Sequence, residues 1–273
     1  MDDALEVRGE SDEEPEAPRV NSELLELAEE PGLWLPGEPK LTVFRGEGFA
    51  FVAYGRSAWV HRLRLEDDQV EPTVNRVTAM LGLKGLAEAT WWLGELTTPS
   101  DLADRLAELG LEPGDPPEMV SFTIAERPSG EPTVEVRRAE TLEELLVALE
   151  IDWASFEAPE DERELRRREA ELAWPQLQAD GRQSTYVAYD DGEPVGFGRA
   201  VFTRSAALLL GGATLPSARG KGVYTSIVHA RWDEAVERGV PRIAVSAGPQ
   251  SAPILAKLWF EPIGRVRLLS QRL

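Results

Sequence analysis

The sequence predicts a mixed α/β fold, α+β-like, with a mostly antiparallel sheet flanked by helices. Three observations carry this. From Val134 onward the patterned segments run β-α-α-β-β-β-α-β-α-β, so strands cluster instead of alternating with helices as a doubly wound parallel sheet requires. Asp190-Asp191-Gly192 separates two apolar runs as a hairpin turn would. Hydrophobic residues make up 42% of 273 positions, enough for a core, yet no run approaches the roughly eighteen that a membrane span needs.

The elements follow in order. "SELLELAEEPGLWL" reads as a short helix and a turn, then "LTVFRGEGFAFVAYG" and "SAWVHRLRLE" as two strand-like runs with glycine between them. "VNRVTAMLGLKGLAEA" has helical spacing and "TWWLGEL" reads as a strand. "SDLADRLAELG" is a helix expected to be capped by Ser100 and stopped by Gly110. "RPSGEPT" (127–133) gathers Pro, Gly and Ser, and is the expected boundary between two domains. Beyond it come a strand ("VEVRRAE"), a helix capped by Thr141, and a charged helix expected to end near Pro175. The Asp-Asp-Gly hairpin follows, then "SAALLLGGATL" as a strand, a glycine loop with its helix, and "PRIAVSA" as a buried strand. "SAPILAKLWF" is a short helix and "IGRVRLLSQRL" a closing strand. "ADRLAELGLEP" (103–113) matches "APILAKLWFEP" (252–262) at an offset of 149 residues, a faint internal repeat pointing to two copies of one fold.

Charge narrows the partners. The net charge of −20 argues against a general nucleic-acid or anionic-membrane binder. Residues 1–19 hold eight acidic and two basic side chains and are expected to be a disordered tail. From Phe197 onward, eleven Arg or Lys face four Asp or Glu, a basic end that suggests a local anionic ligand. There are no cysteines, hence no disulfide, thiolate metal site or cysteine nucleophile, and two histidines are too few for an expected zinc site. The opening residues have neither a basic segment nor an apolar stretch of the secretory kind, so a cytoplasmic protein is expected.

The sharpest signal is Arg219-Gly220-Lys221-Gly222-Val223-Tyr224, after a strand and opening a helix. A helix start leaves N–H groups unpaired and carries partial positive charge, and glycines let that backbone approach a phosphate. A Walker loop would need Ser or Thr at Gly222, and the dinucleotide fingerprint would need Gly at Thr225. Tyr224, Val228, Trp232 and Val236 recur at four-residue spacing and are expected to face the core.

Over Val134 to Leu273 this arrangement resembles the GNAT (Gcn5-related N-acetyltransferase) family, whose pyrophosphate loop reads Q/R-x-x-G-x-G/A. Arg219 takes the first position, Gly222 the glycine, and Tyr224 replaces the final small residue. The resemblance implies acetyl-CoA as co-substrate and no metal. Backbone groups of Gly212, Ala213, Thr214 and Leu215 would pair with the pantetheine and thioester. The amides of Gly220, Lys221, Gly222, Val223, Tyr224 and Thr225 would hold the pyrophosphate, with Arg219 and Lys221 adding charge. The family's usual Asn and thiol-protonating Tyr fall at Gly248 and Leu255, and its usual Gly before Phe260 is Trp259. No catalytic residue is therefore assigned, and His229, His61 and Glu193 read as structural or solvated side chains, His61 as surface or packing.

The implied function is acetyl transfer from acetyl-CoA to a primary amine of a small molecule or peptide, with a cationic acceptor favoured by the acidic surface. The alternatives are a non-catalytic acyl-CoA-binding or regulatory module, and a nucleotide-phosphate binder. The expected organisation is an acidic tail (1–19), a degenerate GNAT-like domain (20–128) and an acyl-CoA-binding domain (133–273). In the first half, residues 75–90 are the expected place for a loop counterpart, and they lack an Arg-x-x-Gly-x-Gly.

Overall fold

A computed structural model describes residues 22–37, 41–156 and 159–273; the expected acidic tail lies outside them. Eleven strands form one sheet: β1 (Thr42–Arg45), β2 (Ala50–Tyr54), β3 (Ser57–His61), β4 (Glu88–Leu93), β5 (Glu112–Ile124), β6 (Glu135–Arg138), β7 (Gln183–Asp190), β8 (Glu193–Phe202), β9 (Ala207–Thr214), β10 (Ile243–Ala247) and β11 (Glu261–Arg272). Their spatial order is β1-β2-β3-β4-β11-β5-β10-β9-β8-β7-β6. Only β3 with β4 and β9 with β10 pair in parallel among these strands. Around the sheet lie α1 (Ser22–Glu29), α2 (Val70–Leu83), α3 (Leu102–Glu108), α4 (Leu142–Ser155), α5 (Glu160–Asp180), α6 (Val223–Glu237) and α7 (Ala252–Lys257).

The centre of the sheet interlocks the two halves. β5, from the first half, lies between β10 and β11 of the second; β11, the last strand, lies between β4 and β5 of the first. The sheet is thus continuous across the 127–133 loop. The internal repeat has a structural counterpart in two short helices, α3 and α7, each leading into one of the two exchanged strands. Their ends make the same hydrogen bond along the 149-residue offset: Leu111 N–H bonds to Leu106 O, and Phe260 N–H to Leu255 O, both at 3.1 Å. Each turn passes through a left-handed residue, Gly110 (φ 91°) in the first and Trp259 (φ 69°) in the second.

That conformation crowds a Cβ, which is why glycine is favoured at the position after a helix. Trp259 is 69% exposed and gains little from packing in return. Replacing Trp259 with Gly is therefore expected to stabilise the protein by about 1 kcal/mol, seen as a raised urea midpoint at unchanged slope.

Three expectations need correction, and one strand, β5, has no counterpart among the expected elements. The run "LTVFRGEGFAFVAYG" is two strands, β1 and β2, folded at a turn closed by Gly46 N–H on Phe49 O at 2.8 Å. Asp101, not Ser100, occupies the start of α3, and its side chain makes no cap bond. Pro175 does not end α5, which continues to Asp180; Glu171, whose carbonyl it frees, and Pro175 are both exposed, so water satisfies that group. β5 is long although it contains Pro113, Pro116 and Pro117. The prolines precede Val120, where pairing to β10 begins, so their missing donors fall where one flank of the strand is open. Thr141 caps α4 as expected, its Oγ1 accepting from Glu144 N–H while Glu144 reaches back to the cap.

Candidate functional site

The glycine loop sits where β9 ends and α6 begins, after a single helical turn at Pro216–Ala218. Gly220 and Gly222 take left-handed φ of 80° and 79°. A Cβ on Gly222 would lie 2.4 Å from Thr133 Oγ1, so space as well as backbone angle demands glycine there. The helical ladder starts late, at Ser226 N–H to Gly222 O (2.9 Å). Among the described residues no backbone or side-chain acceptor takes the amides of Gly220 to Thr225. Six donors in succession at the positive end of a 15-residue helix are an arrangement suited to an anion.

The surroundings hold this loop rigidly. Thr133 Oγ1 donates to Lys221 O (2.6 Å), and Ser226 Oγ accepts from Thr133 N–H (2.9 Å). The Pro/Gly-rich stretch expected as a domain boundary thus serves as a buttress for the loop. Lys221 Nζ pairs with Asp190 Oδ2 at 2.6 Å, which raises the lysine pKa and ties the β7–β8 hairpin to the loop. Arg219 is exposed and makes no ion pair among the described residues. Nothing in the sequence marks Thr133, Ser226 and Asp190 as contributors; only the Pro/Gly composition of 127–133 and the hairpin signal point to their neighbourhoods.

α6 lies close on β8 because Gly196 and Gly198 leave room: a Cβ there would come 2.5 Å from Val223 and 2.6 Å from Ile227. Tyr224 turns inward as expected and joins the cluster of Val228 and Trp232, whereas Val236 is 48% exposed. Further along, Glu234 accepts from Ser184 Oγ (2.7 Å), Tyr186 OH (2.5 Å) and Arg238 Nε (2.9 Å). Burial pushes this carboxyl up, but the hydrogen bonds outweigh it and hold the group below its usual range, fixing α6 to β7.

Beside the loop, β9 and β10 form a wedge. They pair only at Ile243–Ala207 and Ala244–Leu208, then diverge, leaving the Leu209–Thr214 edge without a partner from β10. A bulge at Gly211 interrupts β9 between Leu210, opposite Arg199, and Gly212, opposite Gly198. Ala213, Thr214 and Leu215 lie on this diverging edge, next to the cradle. α1 covers the closed end: Leu27 and Ala28 pack with Leu208 and Ala244, and Ser246 Oγ donates to Ala28 O at 2.8 Å.

Other candidates stay apart from this geometry. Leu255 is fully buried in the core, so no side chain there can protonate a leaving thiolate, and Gly248 offers none. His229 is buried, with Nε2 3.3 Å from Ser129 O, a structural contact to the buttress. Glu193 is exposed at the hairpin. No group of three or more His, Cys, Asp or Glu able to hold a metal ion occurs among the described residues. No helix among them is long and apolar enough to cross a membrane.

The first half contains a second parallel pair, β3 with β4, joined through α2. Its strand-to-helix junction is 62–69, not 75–90; it begins with Arg62 and Arg64, but its helix-side end carries Glu66, Asp67 and Asp68, where a phosphate cradle would need cations. Its wedge is also sealed. Glu29 places a carboxylate on the amides of Glu95 (2.8 Å) and Leu96 (3.3 Å), and Leu65 N–H recloses the strands on Thr98 O (3.1 Å). His61 is fully buried at the seal, not on the surface, and neither ring nitrogen has a hydrogen-bond partner.

The second half thus sets a run of unengaged helix-start amides beside an open strand edge. Residues 145–256 match the model of the acetyltransferase (GNAT) family, and this part of the chain is a GNAT domain. The fold extends over both halves. A tandem GNAT protein from the clavulanic acid biosynthesis pathway is similar at TM-score 0.58 and 16% identity, over 88% of this chain and 86% of that one. A GCN5-related N-acetyltransferase from Kribbella flavida is similar at TM-score 0.63 and 14% identity, over 85% and 90%. One from Sphaerobacter thermophilus gives 0.57 and 15%, over 83% and 81%. Comparison with curated protein sequences gives no match.

Proposed function

We propose that the protein transfers an acetyl group from acetyl-CoA to a primary amine. The second half (133–273) supplies the co-substrate site, and the first (20–128) is a sealed copy of the same fold. The observation that carries this is the run of six unengaged amides, Gly220 to Thr225, set beside the diverging edge of β9. The amides suit a pyrophosphate, Arg219 adds charge, and the backbone from Gly212 to Leu215 can orient a thioester carbonyl. The neutral amine forms a bond to the thioester carbon, the carbon–sulfur bond breaks, and the proton shed by nitrogen balances the departing thiolate. Holding amine and thioester together supplies most of the rate, because thiolate leaves without a dedicated acid.

A second reading is favoured by Leu255 and Gly248, which lack the polar groups of the family pattern: an acyl-CoA-binding module without turnover. Two measurements decide. Calorimetric titration of acetyl-CoA should give micromolar binding to the wild type and none to Gly222→Glu. Arg219→Gln, which alters an exposed side chain only, should weaken it several-fold. No heat with the wild type would overturn both readings. Free-thiol release with a panel of amines then separates them, since the module predicts binding without release.

A further inference from the structure

A cavity of about 400 Å³ lies between the two halves, on the face of β9 that α4 and α5 cover. Its volume is that of a small-molecule site. The first half contributes Val52, Tyr54 and Trp59; the second contributes Leu145, Leu149 and Trp153. Tyr54 OH donates to Glu169 Oε2 at 2.8 Å, joining β2 to α5 at this boundary. The cavity also reaches Leu210 and Gly211, the bulge immediately before the Gly212–Leu215 edge.

Three charged residues line this apolar space: Asp152, Arg166 and Arg199. Arg166 is engaged by Glu162. Asp152 and Arg199 make no ion pair with each other or with any other described residue. The Arg199 guanidinium lies against the bulge, with Nη2 3.0 Å from where a Gly211 Cβ would be, and its Nε is buried without a partner. Trp153 Nε1 is likewise a buried donor with no acceptor. Burial pushes the Asp152 carboxyl above its usual range, and Arg199 and Arg166 oppose this. Buried donors are ordinarily satisfied, so the partnerless Arg199 Nε, beside the half-buried Asp152 carboxylate that makes no ion pair among the described residues, calls for a ligand that completes both.

We infer that this cavity binds a free α-amino acid with a large apolar side chain as the acetyl acceptor, its ammonium on Asp152 and its carboxylate on Arg199. The inference rests on the acetyl-transfer reading for the word acceptor, and on the cavity alone for the amino acid. An arginine fork matches a carboxylate in a bidentate manner, and the aromatic and aliphatic walls suit a Phe, Leu or Trp side chain. The bound ammonium gives up one proton to water to free its lone pair, the nitrogen's second proton goes with the thiolate as in the step above, and the amide formed is neutral, so the product loses its contact to Asp152 and leaves.

The test titrates L-phenylalanine, L-leucine and L-tryptophan into the full chain saturated with unacylated CoA, read by calorimetry and by fluorescence of the lining tryptophans. Saturable binding of at least one is expected. 2-Phenylethylamine, 3-phenylpropionate and N-acetylphenylalanine should each bind at least tenfold more weakly than phenylalanine. Arg199→Gln should weaken phenylalanine tenfold while leaving 2-phenylethylamine within twofold, and Asp152→Asn should weaken both amines while sparing 3-phenylpropionate. Should either variant misfold, Trp59→Ala from the opposite wall should weaken phenylalanine tenfold. No saturable binding of the three amino acids, or equal binding of phenylalanine and 2-phenylethylamine, overturns the inference. Acetyl-CoA titrated into CoA-free samples of the same proteins keeps the two readings apart. Acetyl-CoA binding without amino-acid binding sinks the acceptor inference alone. Amino-acid binding without acetyl-CoA binding keeps the cavity and sinks acetyl transfer.

Discussion

Deleting β11 by ending the chain at Phe260 is expected to abolish cooperative folding of both halves, not only of the half to which that strand belongs by sequence. β11 pairs Arg267–Arg272 with β4 and Glu261–Ser270 with β5, so its loss opens a gap in the middle of the sheet. The deletion removes the buried side chains of Val266, Leu268 and Leu269. At about 2 kcal/mol for each buried aliphatic side chain the apolar loss is roughly 6 kcal/mol, comparable with the whole stability of an ordinary domain. The ladder groups of β4 and β5 left without partners add to it. The truncated chain should show no sigmoidal thermal transition by circular dichroism. A sharp melt in it, with acetyl-CoA binding retained, would mean that the second half folds without the interlock. The milder Leu269→Ala should cost about 3 kcal/mol and keep a single transition.

The second large effect is a pH dependence centred on His61. Complete burial pushes its pKa down to about 3 from 6.5, and the neighbouring Glu29 backbone opposes this only weakly. The folded protein therefore keeps this ring neutral where the unfolded chain would protonate it. Stability from this group is complete above pH 6.5 and is lost as pH falls toward 3, at about 1.4 kcal/mol per unit. Glu30 runs the other way. Burial raises it to about 6 despite Arg64 at 2.9 Å, so protonation of its folded carboxyl offsets about 2 kcal/mol of the loss between pH 6 and 4.5. Comparing wild type with His61→Leu cancels Glu30 and every other shared carboxylate. The variant should gain on the wild type by about 2 kcal/mol between pH 7 and 5, and by about 4 kcal/mol at pH 3.5, measured by urea unfolding. A difference that does not change with pH would show that the folded protein protonates this ring as readily as the unfolded chain does.

Local features were legible in the sequence because short-range physics sets them. The Asp190-Asp191-Gly192 hairpin, the Thr141 cap and the strand–glycine–helix step at 219–224 each depend on residues within a few positions. The left-handed glycines of the cradle were readable for the same reason. Long-range features were not. β5 was hidden because three prolines contradict strand propensity, and they are tolerated because one flank of that stretch is open. The strand exchange leaves no local trace beyond the 149-residue repeat, whose two short helices deliver the exchanged strands. Glu29 sealing the first wedge, and Thr133 bracing the second, are contacts across 66 and 88 residues that no periodicity encodes.

The interlock also bears on how the chain is made. During synthesis the first half leaves the ribosome with its β4 and β5 edges bare, because the strand that belongs between them is encoded after all the other described strands of the second half. The nascent chain must carry those open edges, a template for unwanted pairing, until β11 has emerged. Helper proteins that shield exposed strand edges would therefore matter most while the second half is being made. Gly222 and the acceptor cavity, however well formed their local parts, would become usable only after that final strand slots in.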